Sequence, residues 1–396
     1  MSPRFARSAR AEKAAAGLLI AHVLVALAIV VWHPAHAEGD DVARFVVVAT
    51  RDGTPYRDFP VEYSPMETIL IDAAYDTGSI SRAVGRTAII SLACDLGIYL
   101  VLRRSWGANV GLTYLAVSLP LQVFMPFRLD FVPVLLVTAA FANARSGRER
   151  IGGALFAASI LFKFWPIVLL PVLLRNRQMR ALVWSIGLSG LGLIAWWLSV
   201  GSDALRYVVT FRGARGWHVE STVGAVLSVL RMPMRIELGA VRVGTIPGWA
   251  PVILGVATLA TLVLVWRKSA SERVVPEGFP ALAAVASLIV LSRVSSPQYV
   301  AWLMPWAAIA LVERRRPVLR TVVGAVGLLA AAVFLEYWGI VGGQFELAWL
   351  AFARALALIS IPILWLAVTE APSHPPAAVE ETADVPSSRI DPVSNT

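Results

Sequence analysis

Between Gly39 and Pro65 the chain reads GDDVARFVVVATRDGTPYRDFPVEYSP, a stretch holding the carboxylates Asp40, Asp41, Asp58 and Glu62. A carboxylate held near a hydroxyl can take its proton as the oxygen attacks. If an anion departs on the opposite side, the charge it gains calls for a cation. Candidates follow along the chain: Lys163 in ILFKFWP, Arg212 and Arg215 in RGARGWHVES, and Arg293 in RVSSPQY. A compact lysine ammonium suits a phosphate held as a point charge. Arg293, with Gln298 and Tyr299, opens a helix start whose unpaired N–H groups make a ready anion site.

Each residue also has a plainer reading. Asp58 fits a turn residue bonding its own backbone. Lys163 fits a side chain snorkelling to an interface. Arg128 and Asp130, in PFRLDF, fit an ion pair at a helix terminus. His218 stands alone and reads as an ordinary surface histidine. No His, Cys and Asp grouping has metal-ligand spacing, and neither GxGxxG nor a phosphate-binding loop motif occurs. Asp40, Asp41, Asp58 and Glu62 would together suit a shared divalent cation.

The surrounding chain decides what must position these groups. Hydrophobic residues make up 57% and charged residues 15% of the 396 residues, with a mean hydropathy of +0.69. Soluble domains carry about 25% charged residues, so a water-facing surface cannot be built from this composition. The chain reads as an all-α polytopic membrane protein, its apolar runs broken by Pro, Gly and Arg clusters and not alternating as barrel strands do. The net charge of +9 comes from arginine, because Lys13, Lys163 and Lys268 are the only lysines. Cationic loops retained on one side of a membrane account for that excess. Nucleic-acid binding is excluded as a function class, since the arginines scatter over many short loops. Cys94 is the single cysteine, so no intrachain disulfide can form.

Charge bookkeeping places residues 1–13 in the cytoplasm ahead of a first helix, Ala14–Trp32. Ala35-His36-Ala37 resembles a cleavage site, but the apolar run is long for a signal and an uncleaved helix is expected. The membrane domain then covers 14–369, with about 10–12 membrane segments and external segments at 33–84 and 201–249. Asp40 and Asp41 can start a short surface helix carrying Val42, Phe45, Val46 and Ala49 on one face. Residues 151–174 have arginines at both ends and read as a hairpin broken near Phe164-Trp165-Pro166, or as one long tilted helix. Arg235–Val243 reads as a small hairpin turning at Gly239-Ala240. Residues 370–396, rich in Pro, Ala, Glu and Asp, read as a disordered tail.

Six short stretches occur in order: GDDV–RF, GTPYRDFPVEYSP, FRLDF, LFKFWPIVLLP, RGWHVES and SPQYVAWLMP. Over roughly Val31–Pro305 this pattern resembles glycosyltransferase family 87, a branch of the GT-C membrane glycosyltransferases that includes actinobacterial mannosyltransferases. Phe45 and Ser64 depart from it, standing where the family usually has tyrosine and often proline. The resemblance implies a GT-C-type bundle in the plasma membrane, an extracytoplasmic site, and inverting transfer of a sugar, mannose foremost. The donor would be a polyprenyl-phosphate sugar and the acceptor a glycolipid or glycan.

The resemblance implies that a first-loop carboxylate aids the transfer. The family's early Asp falls on Asp41, with Asp40 as the register alternative and Asp58 as a rival base. Its tyrosine-rich signature falls on Tyr56, Arg57, Asp58, Glu62 and Tyr63. Substrate-binding roles are expected for Asp40, Tyr56, Arg57, Glu62, Tyr63, Arg128, Asp130, Lys163, Arg212, Arg215, Trp217, His218, Glu220, Arg293, Gln298 and Tyr299. Trp165, Trp217, Tyr299 and Trp302 fit a lining for sugar or prenyl chain, although anchoring at the membrane interface is the more common reason for such residues. A flippase or transporter is the rival outside the enzymes, but it predicts repeated halves, and none are visible. A polysaccharide polymerase shares the lipid donor but is expected to rely on external arginines with histidine and no first-loop carboxylate.

Overall fold

The computed structural model describes residues 3–32, 41–76, 78–210, 213–271, 277–314, 316–337 and 348–367, with side chains from Ala11 onward. Asp40, Arg212 and the expected tail after Thr369 lie outside them. The chain up to Leu366 is one compact unit, an all-α polytopic membrane protein. Its helices are α1 (Pro3–Trp32), α2 (Asp41–Thr50), α3 (Pro65–Tyr75), α4 (Ile80–Ser105), α5 (Ala108–Ser118), α6 (Phe131–Arg145), α7 (Glu149–Phe162), α8 (Leu170–Arg175) and α9 (Met179–Val200). They continue as α10 (Asp203–Thr210), α11 (Thr222–Val229), α12 (Ala250–Ser271), α13 (Gly278–Val290), α14 (Met304–Arg314), α15 (Pro317–Leu335) and α16 (Ala348–Ala367).

Six helices are long and apolar enough to cross a bilayer: α1 over Ala11–Trp32, α4, α9, α12, α15 and α16. At 1.5 Å per residue their 19 to 26 residues reach about 30–40 Å. The other apolar runs do not form full spans. α6, α7 and α13 hold 15, 14 and 13 residues, about 20 Å each against a hydrocarbon core of about 30 Å. They belong to three hairpins, α5/α6, α7/α8 and α13/α14. Among the described residues the apolar segments are therefore six full-length helices and the shorter helices of the hairpins.

The hairpin bases are identifiable from contacts. Arg145, ending α6, lies over the Trp106 ring ahead of α5, 5.3 Å from its centroid. Glu149, opening α7, accepts the Arg180 amide of α9 at 2.8 Å, so the 151–174 run does turn back. Gly278 opens α13 directly against Ala310 of α14, where any Cβ would clash. Glu277 knots all three bases: it accepts from Trp106 Nε1 (3.3 Å) and Asn176 Nδ2 (2.7 Å) and pairs with Arg145 (3.0 Å).

The hairpin tips are irregular because proline interrupts them. 3-10 turns at Leu119–Val123, Met125–Phe127, Trp165–Leu169 and Pro297–Leu303 each carry proline at the first or second position. Irregular backbone at membrane depth is tolerated only where protein buries it or a cavity receives it. That rule directs attention to the end of the bundle opposite Glu277.

At that end lie α2, α3, α10 and a small sheet. Its strands are β1 (Trp217–His218), β2 (Met234–Glu237) and β3 (Ala240–Val243), all antiparallel in the order β1-β3-β2. The β2–β3 hairpin turns at Leu238-Gly239, one residue earlier than expected, with both residues at positive φ. α2 packs Val42, Phe45 and Val46 inward, against Tyr63 and Tyr75, whose rings lie 5.4 and 5.2 Å from that of Phe45.

Candidate functional site

The α7/α8 and α13/α14 tips, the loop between α2 and α3, and the small sheet enclose a cavity of about 460 Å³. Asp41, Arg44, Glu62, Tyr63, Glu67, Lys163, Trp165, His218, Arg242, Gln298, Tyr299 and Trp302 line it, together with apolar residues including Val208 and Val209 of α10. Residues as far apart in sequence as Asp41 and Trp302 thus share one chamber.

Asp41 opens α2, where a carboxylate complements the positive end of the helix. It pairs with Arg44 one turn on, and with Arg128 at 3.0 Å from the α5/α6 tip. Burial opposes its ionisation, but Arg128 and then Arg44 outweigh burial and hold the carboxyl below its ordinary range. Glu62 stands 3.6 Å from the other side of the Arg44 guanidinium.

Lys163 ends α7 and bonds Asp130 Oδ1 at 2.9 Å, with Glu67 Oε1 at 3.5 Å. Asp130 is itself held by Trp302 Nε1 at 2.8 Å. The ammonium is therefore fixed from two sides while still facing the chamber. Burial pushes the Glu67 carboxyl up to about 8 in spite of Lys163, with Asp130 and Asp41 adding to the rise. Glu67 is thus protonated at neutral pH. Beside it three rings stack: Tyr299 on Trp302 at 4.1 Å, and Trp302 on Trp165 at 5.1 Å.

The sheet supplies the third wall. His218 on β1 and Arg242 on β3 are direct cross-strand partners, and both face the chamber. Burial drives the His218 imidazole down to about 3, helped by Arg242, so the ring is neutral. Its Nδ1 lies 3.4 Å from Glu220. Two polar atoms of the lining, the Tyr63 hydroxyl and Trp165 Nε1, are buried with no protein partner among the described residues. Orphaned donors in a lined cavity are what a ligand would complete.

Several sequence candidates sit elsewhere. Asp58 is exposed and accepts the Thr54 amide at 2.6 Å, closing its own turn outside the chamber. Arg57 is exposed on the same turn. Tyr56 lies behind the wall in a left-handed conformation (φ 68°), its hydroxyl donating to the Tyr63 carbonyl at 2.8 Å. Arg293 donates to the Val209 carbonyl at 2.5 Å and ties down α10. The Arg215 amide meets Glu237 at 2.7 Å, and Trp217 packs with Val243 and Ala250. Arg128, Asp130 and Glu220 support lining residues from behind. The shared divalent cation does not fit: Asp58 is remote, and Asp41 faces two guanidinium groups. No group of three or more His, Cys, Asp or Glu gathers among the described residues.

Sequence reasoning missed Arg44, Glu67 and Arg242. Arg44 had a signal, because i and i+3 share a helix face with Asp41. Glu67 had one too, as an acid in the apolar opening turn PMETIL. Arg242 had none, since only strand pairing brings it to His218. The chain matches no family profile and no curated protein among those compared.

Proposed function

We propose that the protein is a membrane glycosyltransferase of the GT-C type, moving a sugar, mannose foremost, from a polyprenyl-phosphate donor to a glycolipid or glycan hydroxyl. One observation carries the reading. Asp41 and Lys163, a carboxylate and an ammonium from the first and fourth stretches of the expected motif series, line the same cavity against an aromatic stack. The reading also rests on the resemblance to glycosyltransferase family 87, which supplies the substrate class. The plasma membrane and an extracytoplasmic site belong to the same proposal.

In this mechanism the acceptor hydroxyl attacks the anomeric carbon as the bond to the phosphate oxygen breaks on the opposite face, inverting the centre. The phosphate leaves with the electron pair and gains charge, which Lys163 is placed to stabilise. The hydroxyl proton passes to Asp41. A carboxylate flanked by two arginines is a weak base, so it takes the proton late, once the new C–O bond has made the hydroxyl acidic. Neutral Glu67 donates a hydrogen bond beside Lys163 without cancelling its charge. The stacked rings offer an apolar face to the sugar or the first isoprene.

The test is transfer from radiolabelled polyprenyl-phosphate mannose in membranes carrying the full chain. Asp41→Asn is expected to lower the rate by about 10³ or more, whereas Asp58→Asn, outside the chamber, changes it less than about twofold. Equal rates for Asp41→Asn and wild type would remove the catalytic assignment.

A further inference from the structure

Arg354 sits in the second turn of α16, beyond every motif used so far, and its side chain is fully buried. A guanidinium inside a membrane helix is costly and calls for a reason. Here no carboxylate hydrogen-bonds it among the described residues. Instead its Nη2 donates to two main-chain carbonyls, Glu220 at 2.6 Å and Ser295 at 3.1 Å. Those carbonyls belong to the two segments that present His218 on one side and Ser296, Gln298 and Tyr299 on the other. The segments also touch directly through the His218 amide and the Arg293 carbonyl, at a long 3.4 Å. Arg354 Nε and Nη1 have no hydrogen-bond partner among the described residues.

We infer that Arg354 is a positioning residue of the transfer site, stitching the sheet wall to the α13/α14 tip through the Glu220 and Ser295 carbonyls. This deepens the proposed reaction and rests on it. The guanidinium does not line the chamber, so it acts through what it holds. Simple packing would be served by leucine or methionine without a desolvated charge. What the arginine adds is two carbonyl contacts and a fixed positive potential next to Glu220.

Five groups face the Glu220 carboxyl: Arg354, Arg128 from the α5/α6 tip, Asp41 from α2, His218 from β1 and Tyr337 after α15. Burial raises the carboxyl to about 7, with Arg354 and then Arg128 pulling it down. Glu220 is therefore balanced between its two forms near neutral pH, and removing Arg354 tips it towards the protonated one. The Glu220 carboxylate stands 3.4 Å from His218 Nδ1 without a hydrogen bond between them, so its charge state changes the field at the ring that faces the chamber.

The experiment uses the full chain as wild type, Arg354→Lys, Arg354→Met, Glu220→Gln and the Glu220→Gln/Arg354→Met pair. Amide hydrogen exchange is followed at 218–221 and 294–296. In Arg354→Met the exchange is expected to rise about tenfold in both segments together, with the lysine variant between it and wild type. Transfer from polyprenyl-phosphate mannose against pH supplies the second readout. The acid limb of the wild type is expected near pH 7 and moves up by at least about one unit in Arg354→Met. That movement disappears in the Glu220→Gln background.

Unchanged exchange in Arg354→Met, or an acid limb that stays in place, overturns the inference. A shift that persists without Glu220 overturns the route through that residue. If both segments loosen but wild type transfers no sugar, the stitch stands and the glycosyltransferase reading fails.

Discussion

Asp95 and Asp41 are both carboxylates beside nitrogen partners in an apolar chain, yet their surroundings follow opposite plans. Asp95 on α4 accepts from His22 of α1 at 2.6 Å, Tyr114 of α5 at 2.6 Å and Gln122 at 3.2 Å. His22 is completed by the Leu115 carbonyl at 2.9 Å. All four side chains are buried, and none lines the chamber. That cluster is closed, with its polar atoms paired within the protein. The Asp41 site is open: it has a cavity, orphaned donors on Tyr63 and Trp165, and carboxyls pushed in opposite directions. Closed clusters hold helices together, while incomplete ones await a ligand.

Three changes sharpen that contrast further. Asp95→Asn breaks the closed cluster and leaves His22 without its carboxylate. It is expected to destabilise the fold by about 3–5 kcal/mol, read by thermal unfolding in detergent, while transfer per folded molecule stays within about twofold. A large loss of turnover at normal stability would make the Asp95 cluster part of the site.

Lys163→Met should show the reverse pattern. Transfer falls by about 10²-fold, with a smaller change in unfolding temperature than Asp95→Asn causes. Removing the cation leaves Asp130 still held by Trp302, which limits the structural damage. Preserved turnover in this variant would take the phosphate away from this wall.

The smallest effect concerns pH. The Glu67 carboxyl is raised to about 8, so it is neutral below that value and gains a negative charge above it. Transfer should fall several-fold above pH 8, as that charge opposes the departing phosphate beside Lys163. Glu67→Gln is expected to abolish this alkaline limb. A limb that survives in Glu67→Gln would belong to another group.

The candidate site was legible in the sequence to different depths, residue by residue. Lys163 stood out because a lysine interrupts an apolar run in a chain that otherwise uses arginine. Asp41 stood out with Asp40 as the acidic pair of a helix start following a long apolar run. Arg57, Arg215 and Arg293 carry the same chemical signal as Arg44 and Arg242, yet the first three lie away from the lining. An arginine's type says only that it can meet an anion or a carbonyl, and tertiary register decides which it meets. Arg354 was illegible because its partners are backbone atoms 59 and 134 positions away.

By itself, the sequence determined the membrane class, the helical architecture, the break at Phe164-Trp165-Pro166 and the β2–β3 turn. Those features follow from composition, hydrophobic run length and proline, all of which act over a few turns of chain. Packing alone decided that several apolar runs stop short as hairpins, and that the α7/α8 and α13/α14 tips meet the α2–α3 loop around one chamber. The physical reason is range: Asp41 and Lys163 line one cavity although about 120 positions separate them, and no local pattern encodes that approach.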